Sequence, residues 1–313
     1  MKRILSIVLV VMLFVMVGCG SEPQVKEQKL SKLTIGLMPD TDSIPFIIAA
    51  EYGYFAEEGL EIELIPFKSA MERDAALQSG SLDGAVSDLL AVIFARSGGF
   101  SVYATSYTDG SYNLVAGGNT DIASAADLRG KEIAISRNTI IEYVTDEILA
   151  VNGVGEKDVS KVVIPQIPVR LEMLQSGNLA AAVLPEPMAS VAEFSGSRYV
   201  TGSGELGINP GVIVFTDSAI KDKEQSIRAM YRAYDKAANY LNNTPRADYI
   251  DLIMERSGFP GPARDALVLK PYRFAGLPAE KDVDEAVRWV KNKGLAGDYR
   301  YDELVSKLLT EGK

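Results

Sequence analysis

The sequence predicts an α/β protein made of two similar units, each a mostly parallel sheet flanked by helices. An internal repeat carries the first part of that expectation. Residues 73–99, RDAALQSGSLDGAVSDLLAVIFARSGG, match residues 170–196, RLEMLQSGNLAAAVLPEPMASVAEFSG, without a gap, at a constant offset of 97 and with ten of 27 positions identical. Arg73 pairs with Arg170, and Leu77-Gln78-Ser79-Gly80 with Leu174-Gln175-Ser176-Gly177. Chance is a poor explanation, since even glycine fills only about 7% of average positions. The second observation is the order of hydrophobic patterns around each copy: strand, helix, strand, helix, strand, which calls for parallel strands joined by right-handed crossovers. The third is size, because 313 residues that are 47% apolar and 24% charged suffice for two compact domains.

The chain begins with Lys2 and Arg3, an apolar run from Ile4 to Val17 broken only by Ser6, and then Gly18, Cys19, Gly20 and Ser21. That is a signal-peptide layout over residues 1–18. The run reaches roughly 21 Å at about 1.5 Å per residue, short of the roughly 30 Å hydrocarbon core of a bilayer. Met16-Val17-Gly18-Cys19 resembles a bacterial lipoprotein lipobox, with Met16 where leucine is usual. The resemblance implies a diacylglyceryl group on Cys19, which becomes the mature N-terminus. Two acyl chains meet the two-signal requirement for stable anchoring. The expected location is therefore the cell envelope, on the outer face of the cytoplasmic membrane or in the periplasm. Residues 19–32 are polar enough to form a flexible leash.

LTIGLM (33–38) then reads as a strand, Ile44 to Phe55 as a helix and LEIELIPF (60–67) as a strand in which Leu60, Ile62 and Leu64 alternate with Glu61 and Glu63. In the second unit EIAIS (132–136) is a strand, Thr139 to Val151 a helix and KVVIP (161–165) a strand. Thr139 and Glu142 have the spacing of a capping box. Each repeat copy continues as helix end, Ser-Gly turn, apolar strand, loop and helix. GVIVFTD (211–217) follows as a strand, and Ile227, Met230, Tyr231, Tyr234, Ala238 and Leu241 line one face of a long amphipathic helix. Further helices are expected around Tyr249–Arg256, Asp282–Lys293 and Tyr301–Leu309. A helical tail of this kind packs most simply on the first unit. The expected division is 33–110 for the first lobe, 111–210 for the second and 211–313 for the return to the first, with two crossovers as the hinge.

Counting excludes several chemistries. The chain has one cysteine and no histidine, which removes a disulfide framework, a Cys/His zinc site and any Ser-His-Asp or Cys-His device. A net charge of −10 repels phosphate backbones, so nucleic acid is no partner. No metal or cofactor is expected, and the absence of a Walker motif assigns ATP hydrolysis to other proteins.

Ligands of open α/β sheets sit beyond the carboxyl ends of the strands. This nominates Asp40, Thr41, Asp42 and Ser43 after the first strand, Ser87 and Asp88 after the third, and Arg137, Asn138, Thr139 and Glu186 in the second unit. Tyr107, Asp109 and Asn209 lie near the crossovers and join the list. Asp40, Asp42 and Ser43 read equally well as caps of the helix that begins near Ile44. Asn138 and Thr139 are already explained by capping, although the helix end they form suits an anionic group. Arg137 either faces solvent or offers a fork for a carboxylate, sulfonate or phosphate. Glu186 is held between Pro185 and Pro187, where the backbone is restricted.

The lipobox, the opening LTIGLMPDTDSIPFIIAAEYGYFAEEGLEIELIPF, the phrase SGSLDGAVSD, DLRGKEIAISRNTIIEYVTDEIL and AAAVLPEPMASVA together resemble the substrate-binding lipoproteins of ABC importers. The group that includes taurine, aliphatic sulfonate, nitrate and thiamine-pyrimidine binding proteins is the most similar. The resemblance implies a two-lobed type II periplasmic-binding fold that closes on one small molecule, acts as a monomer and delivers its load to a membrane permease served by a cytoplasmic ATPase. Leu184 stands where the group often has an aromatic residue, and Ala180 where the first copy has Asp83.

Five candidate carboxylates (Asp40, Asp42, Asp88, Asp109, Glu186) face one guanidinium (Arg137). That count favours an amine-bearing ligand, and an aminopyrimidine slightly over taurine or another sulfonate. The alternative is an enzyme on the same fold, a dehydratase resembling those of menaquinone synthesis and using Asp or Glu as general acid. The pyrimidine-making relatives depend on histidine, which this chain lacks.

Overall fold

The computed structural model describes residues 30–309, so the signal peptide, Cys19 and most of the leash lie outside the described residues. Ten strands run through it: β1 (Leu33–Leu37), β2 (Ile62–Pro66), β3 (Gly84–Asp88), β4 (Val102–Tyr107), β5 (Tyr112–Ala116), β6 (Glu132–Ile135), β7 (Ser160–Val163), β8 (Ala181–Pro185), β9 (Arg198–Gly202) and β10 (Gly211–Thr216). They form two five-stranded sheets, ordered β2-β1-β3-β10-β4 and β7-β6-β8-β5-β9. In the first sheet β1 is parallel to β2 and β3, while β10 is antiparallel to β3 and β4. The second sheet repeats this, with β6 parallel to β7 and β8, and β5 antiparallel to β8 and β9. Each lobe therefore receives one antiparallel strand, and that strand is the one that arrives from the other lobe. Full burial of β8 explains its continuous apolar run, AAVLP, while the equally buried β3, GAVSD, ends in Ser87 and Asp88.

The nine principal helices are α1 (Ile44–Glu51), α2 (Ala70–Gln78), α3 (Leu89–Ser97), α4 (Ile140–Val151), α5 (Ile167–Gln175), α6 (Met188–Phe194), α7 (Glu224–Asn243), α8 (Ile250–Ser257) and α9 (Glu280–Asn292). The offset of 97 superposes α2 on α5 and β3 on β8 end to end. The repeat seen in the sequence is thus one supersecondary unit used twice. Three local expectations shift. The first helix stops at Glu51 because Gly53 takes φ 77, and only a short turn of helix, Tyr54–Glu57, follows. No loop separates β3 from α3, since Asp88 ends the strand and accepts the Ala91 N–H at 2.9 Å as the helix cap. At α4, Thr139 accepts from the Ile141 N–H at 3.2 Å and Glu142 from the Asn138 N–H at 2.8 Å, one residue earlier than a capping box places it.

The tail folds back on the first lobe. The apolar face of α7 covers α1, with the rings of Phe46 and Tyr234 edge to face at 5.5 Å. α9 packs against α3. The tail also reaches the second lobe: the short helix Ala263–Ala266 meets α6, and Trp289 Nε1 of α9 donates to Asp146 Oδ2 of α4 at 3.1 Å. Lys293, just beyond α9, lies 2.6 Å from Asp146 and 3.3 Å from Glu142. Lys161 of β7 closes on the same two carboxylates from within the second lobe. Two lobes joined by crossovers are here also joined by side chains of α4 and α9.

Candidate functional site

The carboxyl ends of the two sheets face one another. Asp40 follows β1, Ser87 and Asp88 end β3, Ser136 and Thr139 follow β6, and Pro185 ends β8. With Tyr112, Arg73 of α2 and Arg170 of α5 they enclose a cavity of about 30 Å³. That is room for about two water molecules. The lobes touch around it: Thr41 N–H donates to the Glu186 carbonyl at 2.9 Å, Ile167 N–H to the Lys68 carbonyl at 3.0 Å, and Gln166 Nε2 to Glu72 Oε1 at 3.2 Å. A site for a small organic molecule usually measures roughly 300 Å³ or more, so entry requires the lobes to part.

Two arginines dominate the wall. Arg73 is 3% and Arg170 0% exposed, and they are equivalent positions of the repeat. Arg73 Nη1 donates to the Val86 carbonyl at 3.3 Å, and Arg170 Nε to the carbonyl of the corresponding Val183 at 3.1 Å. Their charges are handled differently. Arg73 Nη2 lies 2.8 Å from Asp74 and 3.6 Å from Asp88, and although burial pulls its pKa down, these carboxylates outweigh it and leave the pKa raised. Arg170 Nη1 donates to the Ile164 carbonyl at 2.7 Å; Nη2 of neither arginine makes a hydrogen bond among the described residues, and Nη2 of Arg73 has its two carboxylates beside it. Burial alone draws the Arg170 pKa down to about 9, with no carboxylate to oppose it. The guanidinium is still charged at neutral pH.

Across the cavity are acids. Burial, followed by the charge of Asp42, pushes Asp40 up to about 8, against a hydrogen bond from Ser43 Oγ at 3.3 Å. Burial likewise raises Asp88, opposed by Arg73. Ser87 Oγ is buried without a hydrogen-bond partner among the described residues.

Four nominated residues, Asp40, Ser87, Asp88 and Thr139, meet at this cavity. Thr41, Asp109 and Glu186 line a second cavity, of about 480 Å³, which also lies between the lobes, with the second sheet on one side and the segment Val268–Tyr272 on the other. Glu186 there accepts from Asn113 Nδ2 at 2.7 Å and from the Ser190 N–H at 3.2 Å, and burial raises its pKa. Asp42 is used in the hinge: it accepts from Thr108 Oγ1 at 2.9 Å and Tyr112 OH at 3.2 Å. Burial pushes it up to about 6, against the Thr108 bond and helped by Asp109. Ser43 Oγ braces the loop by accepting the Met38 N–H at 3.0 Å.

Tyr107, Asp109 and Asn209 fasten the C-terminal segment and the crossovers. Tyr107 OH donates to the Phe274 carbonyl at 2.7 Å and its ring lies 3.7 Å from the Arg273 guanidinium, while Asp109 accepts the Arg273 N–H at 2.8 Å. Asn209 Nδ2 donates to the Thr108 carbonyl at 2.9 Å. Arg137 and Asn138 are exposed and line neither cavity, and Asn138 has the left-handed φ of 56. Sequence reasoning passed over Arg73, Arg170 and Tyr112. The repeat held the signal for the first two, as a charged residue kept in both copies on a helix that packs inward. The expected balance of five acids to one base becomes Asp40 and Asp88 against Arg73 and Arg170.

Among the described residues no cluster of three or more His, Cys, Asp or Glu side chains is placed to hold a metal ion, and no helix is long and apolar enough to cross a membrane.

Comparison with known proteins agrees with this architecture. An ABC transporter periplasmic binding protein, so described, of Brachyspira hyodysenteriae is 24% identical over 260 residues, covering 78% of this chain and 75% of that protein. A Bacillus subtilis protein described as binding aliphatic sulfonates is 22% identical over 241 residues, covering 74% and 72%. Among solved structures, the alkanesulfonate-binding protein SsuA of Xanthomonas axonopodis pv. citri, bound to MOPS, superposes with a TM-score of 0.74 at 17% identity, covering 85% of this chain and 94% of that one. The nitrate-binding protein NrtA of Synechocystis gives 0.73 at 15% identity, covering 85% and 82%. The desulfurization enzyme DszB gives 0.66 at 14% identity, covering 90% and 98%. These likenesses establish a two-lobed α/β periplasmic-binding fold. The family model described as NMT1/THI5 like matches residues 40–248, which span both lobes and every loop around the interlobe cavity, and the chain belongs to that family.

Proposed function

We propose that this chain is the solute-binding component of an ABC importer, capturing one small nitrogen-containing organic molecule between its lobes and presenting it to a membrane permease. The observation that carries the reading is the cavity between the lobes, to which each lobe contributes the loops after equivalent strands. The names of the two sequence relatives support it, and so does the secretion pattern of the N-terminus. A ligand that touches both lobes favours the closed state by its differential affinity for that state. Lipid on Cys19 would keep the protein at the membrane that holds the permease. We rank a zwitterion such as taurine ahead of an uncharged aminopyrimidine, the reverse of the order suggested by the sequence count, because Arg170 adds a cation with no carboxylate beside it to the acids of the cavity.

The fold also serves an enzyme, and Asp40, with its pKa near 8, is the residue an acid-base reading would use. Against it stands the signal-peptide layout. A bound molecule recovered with unchanged mass supports the binding reading; a converted one supports the enzyme.

Thermal-shift measurements with taurine, alkyl sulfonates, nitrate, aminopyrimidines and amino acids test the proposal, because a ligand that binds only the folded state raises the melting temperature. A rise with one class is expected, and none with any class counts against the reading. Calorimetry adds a sign. A folded-state pKa above the model value of 3.8 means that Asp40 contributes stability fully below about 4 and loses it as pH rises through about 8. At pH 7 Asp40 is therefore mostly protonated, facing Asp42, Arg73, Asp88 and Tyr112. An ammonium donor ionises it, so binding should release protons to the buffer; uptake of protons contradicts the placement.

A further inference from the structure

We propose that Arg170 is the residue that recognises an anionic group of the ligand, a compact oxyanion such as a sulfonate, and that it does so because the second copy of the repeat has lost its counter-ions. The inference rests on the binding reading above and adds the chemistry at one end of the site. In the first copy Arg73 has two acids, Asp74 and Asp88. At the same repeat positions the second copy has Leu171 and Pro185. Both arginines bond the carbonyl of the equivalent valine, so the shared structural task of tying helix to strand is done in each lobe. That task needs donors rather than an uncompensated charge. An unpaired charge costs several kcal/mol in a protein interior, and the fold maintains one here, fully buried, on the wall of the interlobe cavity.

The surroundings fit an oxyanion. Nη2 of Arg170 and Oγ of Ser87 are without hydrogen-bond partners among the described residues and both residues line the cavity; Nη2 of Arg73 is likewise without one, but it sits against Asp74 and Asp88. Thr139, the cap of the 12-residue helix α4, borders the same space with Ile140 and Ile141, so the positive end of that helix adds to the field. Asp40 and Asp88 lie in the first-lobe wall. A molecule with an oxyanion at one end and N–H donors at the other would set the oxyanion against Arg170 and Ser87 and the donors against Asp40.

The test uses calorimetric titration of the full chain with taurine, methanesulfonate, methylphosphonate, acetate and an uncharged aminopyrimidine, repeated for Arg170→Met, Arg170→Lys and Pro185→Asp. The last variant returns the counter-ion that the first copy has. It is expected to melt no lower than wild type while losing oxyanion affinity, which separates loss of binding from loss of fold. Taurine and methanesulfonate affinities should fall at least about 30-fold in Arg170→Met and Pro185→Asp, as for removal or capture of one partner of a buried charge pair. Arg170→Lys keeps the charge without the fork and should fall between. Undiminished oxyanion binding in the folded Arg170→Met and Pro185→Asp variants overturns the proposal. So does a wild type that binds the aminopyrimidine and no oxyanion, which leaves the importer reading standing. A wild type that binds methanesulfonate and loses it in these variants, yet binds none of the organic amines, supports Arg170 and counts against the nitrogen-bearing solute. Relative strength of sulfonate, phosphonate and carboxylate identifies the oxyanion.

Discussion

Arg73→Met is expected to destabilise the protein by about 3–5 kcal/mol, because it leaves the buried Asp88 carboxylate without its cation. At a few degrees per kcal/mol for a chain of this size, the melting temperature should drop by roughly 10 °C. The same change at Arg170 orphans no acid. It removes donors from the Val183 and Ile164 carbonyls but also removes an unpaired charge, so the two effects offset and the net change stays within about 2 kcal/mol. Chemical denaturation of the two variants measures this contrast directly. Equal losses would mean that Arg170 has a counter-charge after all and that the two copies are electrostatically alike.

Lys293→Met is expected to weaken ligand binding from a distance. The helix α4 starts at the cavity with Thr139 and carries Glu142 and Asp146 on its flank. Those carboxylates receive Lys161 from their own lobe, and Lys293 with Trp289 from the tail that packs on the first lobe. The second pair of contacts crosses between the lobes and is expected to break when they part. Closure therefore gains an ion pair and an indole hydrogen bond that the open form lacks. A coupling of about 1–3 kcal/mol, the usual range between sites, corresponds to a loss of about 5–150-fold in affinity on removing Lys293. X-ray scattering of the variant should also show a larger radius of gyration at subsaturating ligand. Wild-type affinity in Lys293→Met would mean that α4 and the tail keep their contact in the open form.

The repeat made much of the fold legible. Its offset of 97 places helix on helix and strand on strand because a buried parallel strand and the helix before it tolerate little change in length. The antiparallel entry of β5 and β10 was not legible, since a crossing strand has the same apolar pattern whichever way it runs. Asp40, Ser87, Asp88 and Thr139 were nominated by the rule that ligands sit beyond strand ends, and they line the cavity at Arg170. Arg137 was a reasonable choice on that rule, but the left-handed turn at Asn138 belongs to an exposed loop. Tyr107, Asp109 and Asn209 could not be distinguished from cleft residues because their partners, Arg273, Phe274 and Asp282, lie in the tail, where no pattern announces contact. The arginines were hidden for another reason. A charged side chain on a helix ordinarily faces water, and only packing reveals that these two do not.

The most direct test of the account is the crystal structure of the chain with the tightest ligand from the thermal-shift panel. The ligand is expected between the lobes, with its anionic end at Arg170, Ser87 and Thr139 and its N–H donors at Asp40 and Asp88, in a cleft enlarged beyond the present 30 Å³. A ligand seated instead in the 480 Å³ cavity beside Glu186 and Lys270, with the cavity at Arg170 still at its present size, would contradict the assignment of the site to Arg170, Ser87 and Thr139.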